Sequence, residues 1–135
     1  MWKELILNCT YGTNVKFNPP ATEKDILEVE AKLNISLPKQ IKSLLSEFNG
    51  DNQFILSTRQ IIEDNIINRE IKEYMPLDCL LFIASNGCGD YFGYPVTGAG
   101  IKDSEIFMWD HEYDNRIFKA NGLKEAIEKY YNDVL

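Results

Sequence analysis

The sequence predicts an α+β fold with a central antiparallel sheet and helices packed on one face of it. Three observations predict it. Capped, helically spaced apolar segments lie between residues 22 and 50, and short strand-like runs separated by turn residues lie between residues 80 and 118. No strand alternates with a helix in the manner that builds a parallel sheet. At 135 residues the chain has the size of one domain, and residues 1–135 read as a single unit around one core.

The first helix with a clear start follows Pro19-Pro20. Thr22 is a capping residue, and Asp25 three positions on can answer it as a capping box. Ile26, Val29 and Leu33 then recur on one helical face. Leu37-Pro38 opens a second helix, since proline suits a first turn, and Ile41, Leu44, Leu45 and Phe48 form its buried stripe. Asn49-Gly50 ends it, with glycine supplying a left-handed residue.

Phe54-Ile55-Leu56 is short and apolar and reads as the first strand. From Thr58 to Met75, Ile62, Ile66, Ile67, Ile71 and Tyr74 fall on a helical stripe that Pro76 stops. Asn65 and Asn68 interrupt it, so the segment reads as a helix, a broken helix or partly a loop. Leu80–Ala84 has the length and composition of a central strand, and Tyr91–Tyr94 returns beside it as a hairpin across Ser85–Asp90. Ile106–Trp109 and Arg116–Phe118 are two further strands around the polar turn Asp110–Asn115. Leu123, Ile127, Tyr130 and Val134 place a helix at the C-terminus.

Composition narrows the function classes. The net charge is −7, which argues against nucleic acid as a partner, because phosphate binding needs clustered lysine and arginine. Residues 1–50 carry six acids and six bases, residues 51–75 five and three, residues 76–118 seven and two, and residues 119–135 three and three. The whole excess therefore lies in mid-chain, mostly between Asp78 and Asp114, as an acidic partner surface or as a solvated face. The apolar run at Leu5–Leu7 is too short for a signal peptide, and no stretch is long enough to span a membrane. Cys9, Cys79 and Cys88 show no C-x-x-C spacing and read as free thiols of a cytoplasmic protein.

The chemistry-bearing motifs are few. Asn86-Gly87-Cys88-Gly89-Asp90 has glycines but no Lys-Ser/Thr, and it leads into a strand, so it reads as a hairpin turn and not a phosphate loop. Cys88 and the single histidine, His111, could form a nucleophile–base pair, though no motif places them together. Asp110, His111, Glu112 and Asp114 offer oxygen and nitrogen ligands, but without EF-hand spacing they read as the charged tip of a hairpin. The expectation is therefore no catalytic residue, no cofactor and no metal. What remains is an acidic surface carrying aromatics. Asp90, Asp110, Glu112 and Asp114 would match a basic protein partner, with Tyr91 and Tyr113 as anchors.

Two segments carry a resemblance. Pro20-Ala21-Thr22-Glu23-Lys24-Asp25-Ile26, Glu30-Ala31-Lys32-Leu33-Asn34-Ile35-Ser36-Leu37-Pro38 and the ending Phe48-Asn49-Gly50 resemble the opening of the SUKH superfamily. Phe82-Ile83-Ala84-Ser85-Asn86-Gly87-Cys88-Gly89-Asp90 is similar to its hairpin signature. This superfamily groups Smi/Knr-like cell-wall regulators with bacterial immunity proteins. The order of segments agrees from about residue 20 onward, whereas Met1–Pro19 and Thr58–Met75 fit no pattern of the group. The resemblance implies an α+β fold, no catalytic residues, and one of two roles. The first is an immunity protein that neutralises a toxin, often a nuclease. The second is a regulatory scaffold that binds a cellular protein.

Overall fold

The computed structural model describes residues 1–135, and its first helices are set by their caps. α1 (Trp2–Leu7) is only six residues long. Its first N–H groups would be orphans, but the amides of Trp2 and Lys3 donate to the Glu47 carboxylate at 3.2 and 3.1 Å. The Trp2 indole N–H donates to Ser43 Oγ at 3.1 Å, and Trp2 and Ile6 are buried. The N-terminal segment, for which the family pattern offered no anchor, is thus part of the core.

α2 (Glu23–Leu33) begins at the expected capping box, with Asp25 N–H donating to Thr22 Oγ1 and Thr22 N–H to Asp25 Oδ2. It buries Ile26, Val29 and Leu33. α3 (Lys39–Glu47) starts one residue after Pro38 and buries Ile41, Leu44 and Leu45. Its end differs from expectation: Phe48 is already extended at φ −154°, and Gly50 supplies its left-handed φ two residues later.

α4 (Thr58–Arg69) departs furthest from the sequence reading. Ser57 and Gln60 form a second capping box, and the helix ends at Arg69, short of Met75. The isoleucine stripe faces the core only in part: Ile62 packs against it, whereas Ile66 and Ile67 are exposed, Ile67 to 59%. The buried face is Thr58, Ile61 and Asn65. Periodicity failed here because this helix lies beside a strand edge, where a hydrogen-bonding side chain is worth more than another methyl group.

The sheet comprises β1 (Leu80–Ser85), β2 (Tyr91–Thr97), β3 (Gly100–Ile101), β4 (Ile106–Asp110) and β5 (Asn115–Ala120). All pairings are antiparallel in the order β1-β2-β4-β5, with β3 hydrogen-bonded to the end of β2. β1, expected as a central strand, stands at one end of that order. Phe54–Leu56 is not a full strand: it makes one bridge, Ile55 to Ala84. A bulge takes Ile83 out of register with β2, and the Leu56 amide donates to its carbonyl at 3.0 Å while the Ser85 amide donates to the Phe54 carbonyl at 2.9 Å.

α5 (Leu123–Tyr131) closes the fold, burying Leu123, Ala126, Ile127 and Tyr131. Val134, expected on its stripe, lies past the helix and is exposed. The Tyr131 hydroxyl donates to Asp51 Oδ2, and the Tyr11 amide donates to the Tyr131 carbonyl at 2.9 Å, tying both ends of the chain together.

Two apolar clusters follow from strand alternation. The larger lies between the sheet and the helical layer. It includes Trp2, Val29, Ile41, Leu44, Leu81, Ile83, Phe92, Tyr94, Ile127 and Tyr131. Fully burying each side chain of this size contributes about 1.5–3 kcal/mol. The smaller, on the opposite face, is Leu77, Leu80, Phe82 and Trp109, with Tyr74, Tyr91 and Phe107 packed against it.

Candidate partner-binding surface

The acidic residues singled out in the sequence sit on two neighbouring hairpin tips. Residues 86–90 join β1 to β2, and residues 111–114 join β4 to β5. Because Tyr91 pairs with Trp109 across β2 and β4, the tips emerge from the same end of the sheet.

One histidine locks them together. His111 Nδ1 lies 2.7 Å from Asp90 Oδ1, and the His111 amide donates to the same oxygen at 3.2 Å. Asn86 Nδ2 donates to Asp90 Oδ2 at 3.1 Å. Partial burial alone would raise the Asp90 carboxyl, but these bonds and the imidazole charge hold it below its ordinary value. The hydrogen bond His111 makes to Asp90 raises it above the usual histidine range, against its own desolvation and with help from the charges of Asp90, Glu112 and Asp110. Gly89 makes the contact possible: at φ +98° a side chain would be strained, and a Cβ there would come 2.7 Å from the ring. Gly89, not Cys88, therefore faces the ring, whose Nδ1 is bonded to Asp90. The nucleophile–base pair is not assembled.

Asp114 is equally committed. Its φ of +55° turns the carboxylate back into the hairpin. There Oδ1 accepts from Trp109 Nε1 at 2.9 Å and from Arg116, and Oδ2 accepts from the Met75 amide at 2.8 Å. Desolvation would raise this carboxyl too, yet the bonds from Met75, Trp109 and Arg116 bring it below its usual value. Arg116 Nη2 also donates to the Met75 carbonyl at 2.9 Å, so the turn is clamped to the 70–79 segment. Tyr91 is half-buried, stacks on Phe82 with ring centroids 5.1 Å apart, and donates its hydroxyl to Asp64 Oδ2 at 3.0 Å. Burial pushes the Asp64 carboxyl up, partly offset by that bond.

The six expected contact residues thus separate into two sets. Asp90, Tyr91 and Asp114 have their polar atoms bonded within the protein. Asp110 folds one oxygen onto the Glu112 amide at 3.0 Å, Glu112 is exposed, and Tyr113 is 74% exposed. Neither Asp110 nor Glu112 has a cation partner within ion-pair distance. Sequence reasoning missed the apolar neighbours Met75, Ile117 and Phe118, which are 68%, 38% and 46% exposed. Met75 could have been found from Pro76, which marks the end of a surface segment.

Asp90, Asp110 and His111 also bring two carboxylate oxygens and a ring nitrogen within 4.8 Å of one another. A divalent cation would find donors there, but it would have to displace the Asp90–His111 bond. The three thiols are free, Cys9 buried and Cys79 and Cys88 exposed. No helix is long and apolar enough to cross a membrane.

A model of the SMI1/KNR4 family (SUKH-1) matches residues 20–129, which include both segments quoted for the resemblance. No curated protein matches the chain.

Proposed function

The chain belongs to the SMI1/KNR4 (SUKH-1) family, and from that premise we propose that it is an immunity protein, binding one cognate bacterial toxin domain and occluding its active site or substrate path. The activity is binding and not catalysis, and it is exerted in the cytoplasm by residues 1–135 acting as one domain. The toxin is a nuclease in this reading. A nuclease must present cations to hold phosphates, and an acidic surface competes for those cations and speeds encounter.

The observation that carries the reading is the placement of acid and aromatic at one tip. Asp110 and Glu112 are without cation partners and lie just before Tyr113, the most exposed aromatic of the chain. Contact falls to these three, while Asp90, Tyr91 and Asp114 hold the tip in shape. A rigid tip loses little entropy on binding, which is how a small surface reaches high affinity. An interface of about 1,600 Å² and an affinity near −12 kcal/mol fit the need to keep a lethal partner occupied.

The test is a calorimetric titration against the C-terminal domain of any toxin-like protein encoded beside this one, at low and moderate salt. Tight one-to-one binding that weakens with salt is the expected result. Tight binding insensitive to salt keeps the immunity role and moves the contacts to Tyr113 and its apolar neighbours. No binding to a folded, toxic neighbour overturns the proposal and leaves the regulatory scaffold.

A further inference from the structure

The two end strands of the sheet are treated unequally. An unpaired strand edge offers its N–H and C=O groups to any passing chain, and proteins usually cover it. β1 is covered. Arg69 Nη2 donates to the Leu80 carbonyl at 3.1 Å, Asn65 bonds both backbone groups of Phe82, and Phe54–Leu56 bonds Ile83 and Ser85. β5 has β4 on one side and no strand on the other. One side chain from outside the sheet bonds its backbone, Lys129 Nζ to the Lys119 carbonyl at 3.0 Å. β5 contains no proline, and it exposes Ile117 and Phe118, which alternate onto opposite faces of the sheet.

Charge specifies the occupant. The end of β4 and the turn before β5 carry Asp110 and Glu112, and the end of β5 and the start of α5 carry Lys119 and Lys124. Arg116 pairs with Asp114 and Lys129 with Glu125, but none of these other four makes an ion pair within the chain. The segment leading into β5 thus carries unpaired acid, while the end of β5 and the start of α5 carry unpaired lysines. We infer that a second copy of this chain docks here, β5 against β5, antiparallel across a twofold axis, so that one sheet runs through both copies.

That symmetry sets the acidic turn of each copy beside the lysines of the other. It also covers Ile117 and Phe118 with their own counterparts. A uniformly basic strand from another protein would match the turn but meet repulsion at Lys119 and Lys124, so self-pairing fits better. Six residues span about 20 Å of strand, less contact than a standard interface of about 1,600 Å², so the dimer is weak and concentration-dependent. The inference does not depend on the toxin reading. Glu112 belongs to both surfaces, so a toxin and a second copy would exclude one another.

Sedimentation equilibrium of the full chain over a range of concentrations, at low and high salt, tests it. Dimer is expected to grow with concentration and retreat with salt. Glu112→Lys and Lys119→Glu should each weaken association about tenfold, and the double charge swap should restore it. Ile117→Lys should leave a monomer whose circular dichroism is unchanged. A wild-type chain that stays monomeric throughout overturns the inference. So does a dimer indifferent to Ile117→Lys, or a charge swap that fails to rescue.

Discussion

Asn65 stands in for a missing strand beside Phe82, donating to its carbonyl and accepting from its amide, both at 2.9 Å. Both residues are fully buried, so water cannot replace either bond. The second amide hydrogen of Asn65 goes to the Ile61 carbonyl at 2.7 Å, which fixes the side chain within its own helix. Asn65→Leu is expected to orphan both groups of Phe82 and cost roughly 2–4 kcal/mol. A urea titration checks this. The midpoint should fall with an unchanged slope, and an unaffected midpoint would show that the edge of β1 tolerates unpaired groups.

Asp114→Asn is expected to destabilise the fold, while Asp110→Asn with Glu112→Gln is expected to leave it within about 0.5 kcal/mol. Asparagine tolerates the positive φ of this position, so the change tests hydrogen bonding more than backbone strain. Whichever way the amide turns, its nitrogen meets the donors of Met75 or of Trp109 and Arg116. Losing one such acceptor costs roughly 1–3 kcal/mol. Thermal unfolding of the two variants, with Trp109 fluorescence as a local probe, distinguishes the committed carboxylate from the free ones.

The Asp90–His111 latch makes stability depend on pH in a stated direction. The folded pKa of His111 is raised, so its contribution is fully present below the unfolded value of about 6.5 and is lost as pH rises through the folded value. The folded pKa of Asp90 is depressed, so its contribution is present above the unfolded value of about 3.9 and is lost as pH falls through the folded value. The latch is therefore complete between about pH 4 and 6.5. His111→Gln should remove the decline in urea midpoint from mildly acidic to mildly alkaline solution. A parallel decline in wild type and variant would assign it to other groups.

Two glycines of the same hairpin isolate the contact with His111. Gly87 and Gly89 both have positive φ, 78° and 98°, but a Cβ on Gly87 meets nothing within 4 Å. Gly87→Ala should cost only backbone strain, about 1–2 kcal/mol. Gly89→Ala should cost more and shift the His111 ring resonances, since the ring must move away from Asp90. Equal losses in the two variants would mean the ring yields without consequence.

How far the sequence speaks depends on how local the interaction is. The Thr22 box, the hairpins and the turns are decided within four residues of chain, and they read correctly. The start of α4 at Thr58 also read correctly, and the Ser57–Gln60 box that sets it was equally legible in its S-x-x-Q spacing. Asn65 was not legible, because its partner is Phe82, 17 positions away, and an asparagine in a helical stripe looks like a flaw. The acidic tip shows the same division. Its location followed from charge counting, but which carboxylates are spent inside the protein depended on Met75 and on the meeting of two hairpins.

The 110–115 turn sorts its side chains by direction, Asp114 and His111 inward, Glu112 and Tyr113 outward. A lineage can therefore exchange the outward pair freely while the inward pair keeps the loop's form. In the proposed immunity role, recognition could follow a changing toxin at positions where substitution carries almost no thermodynamic penalty.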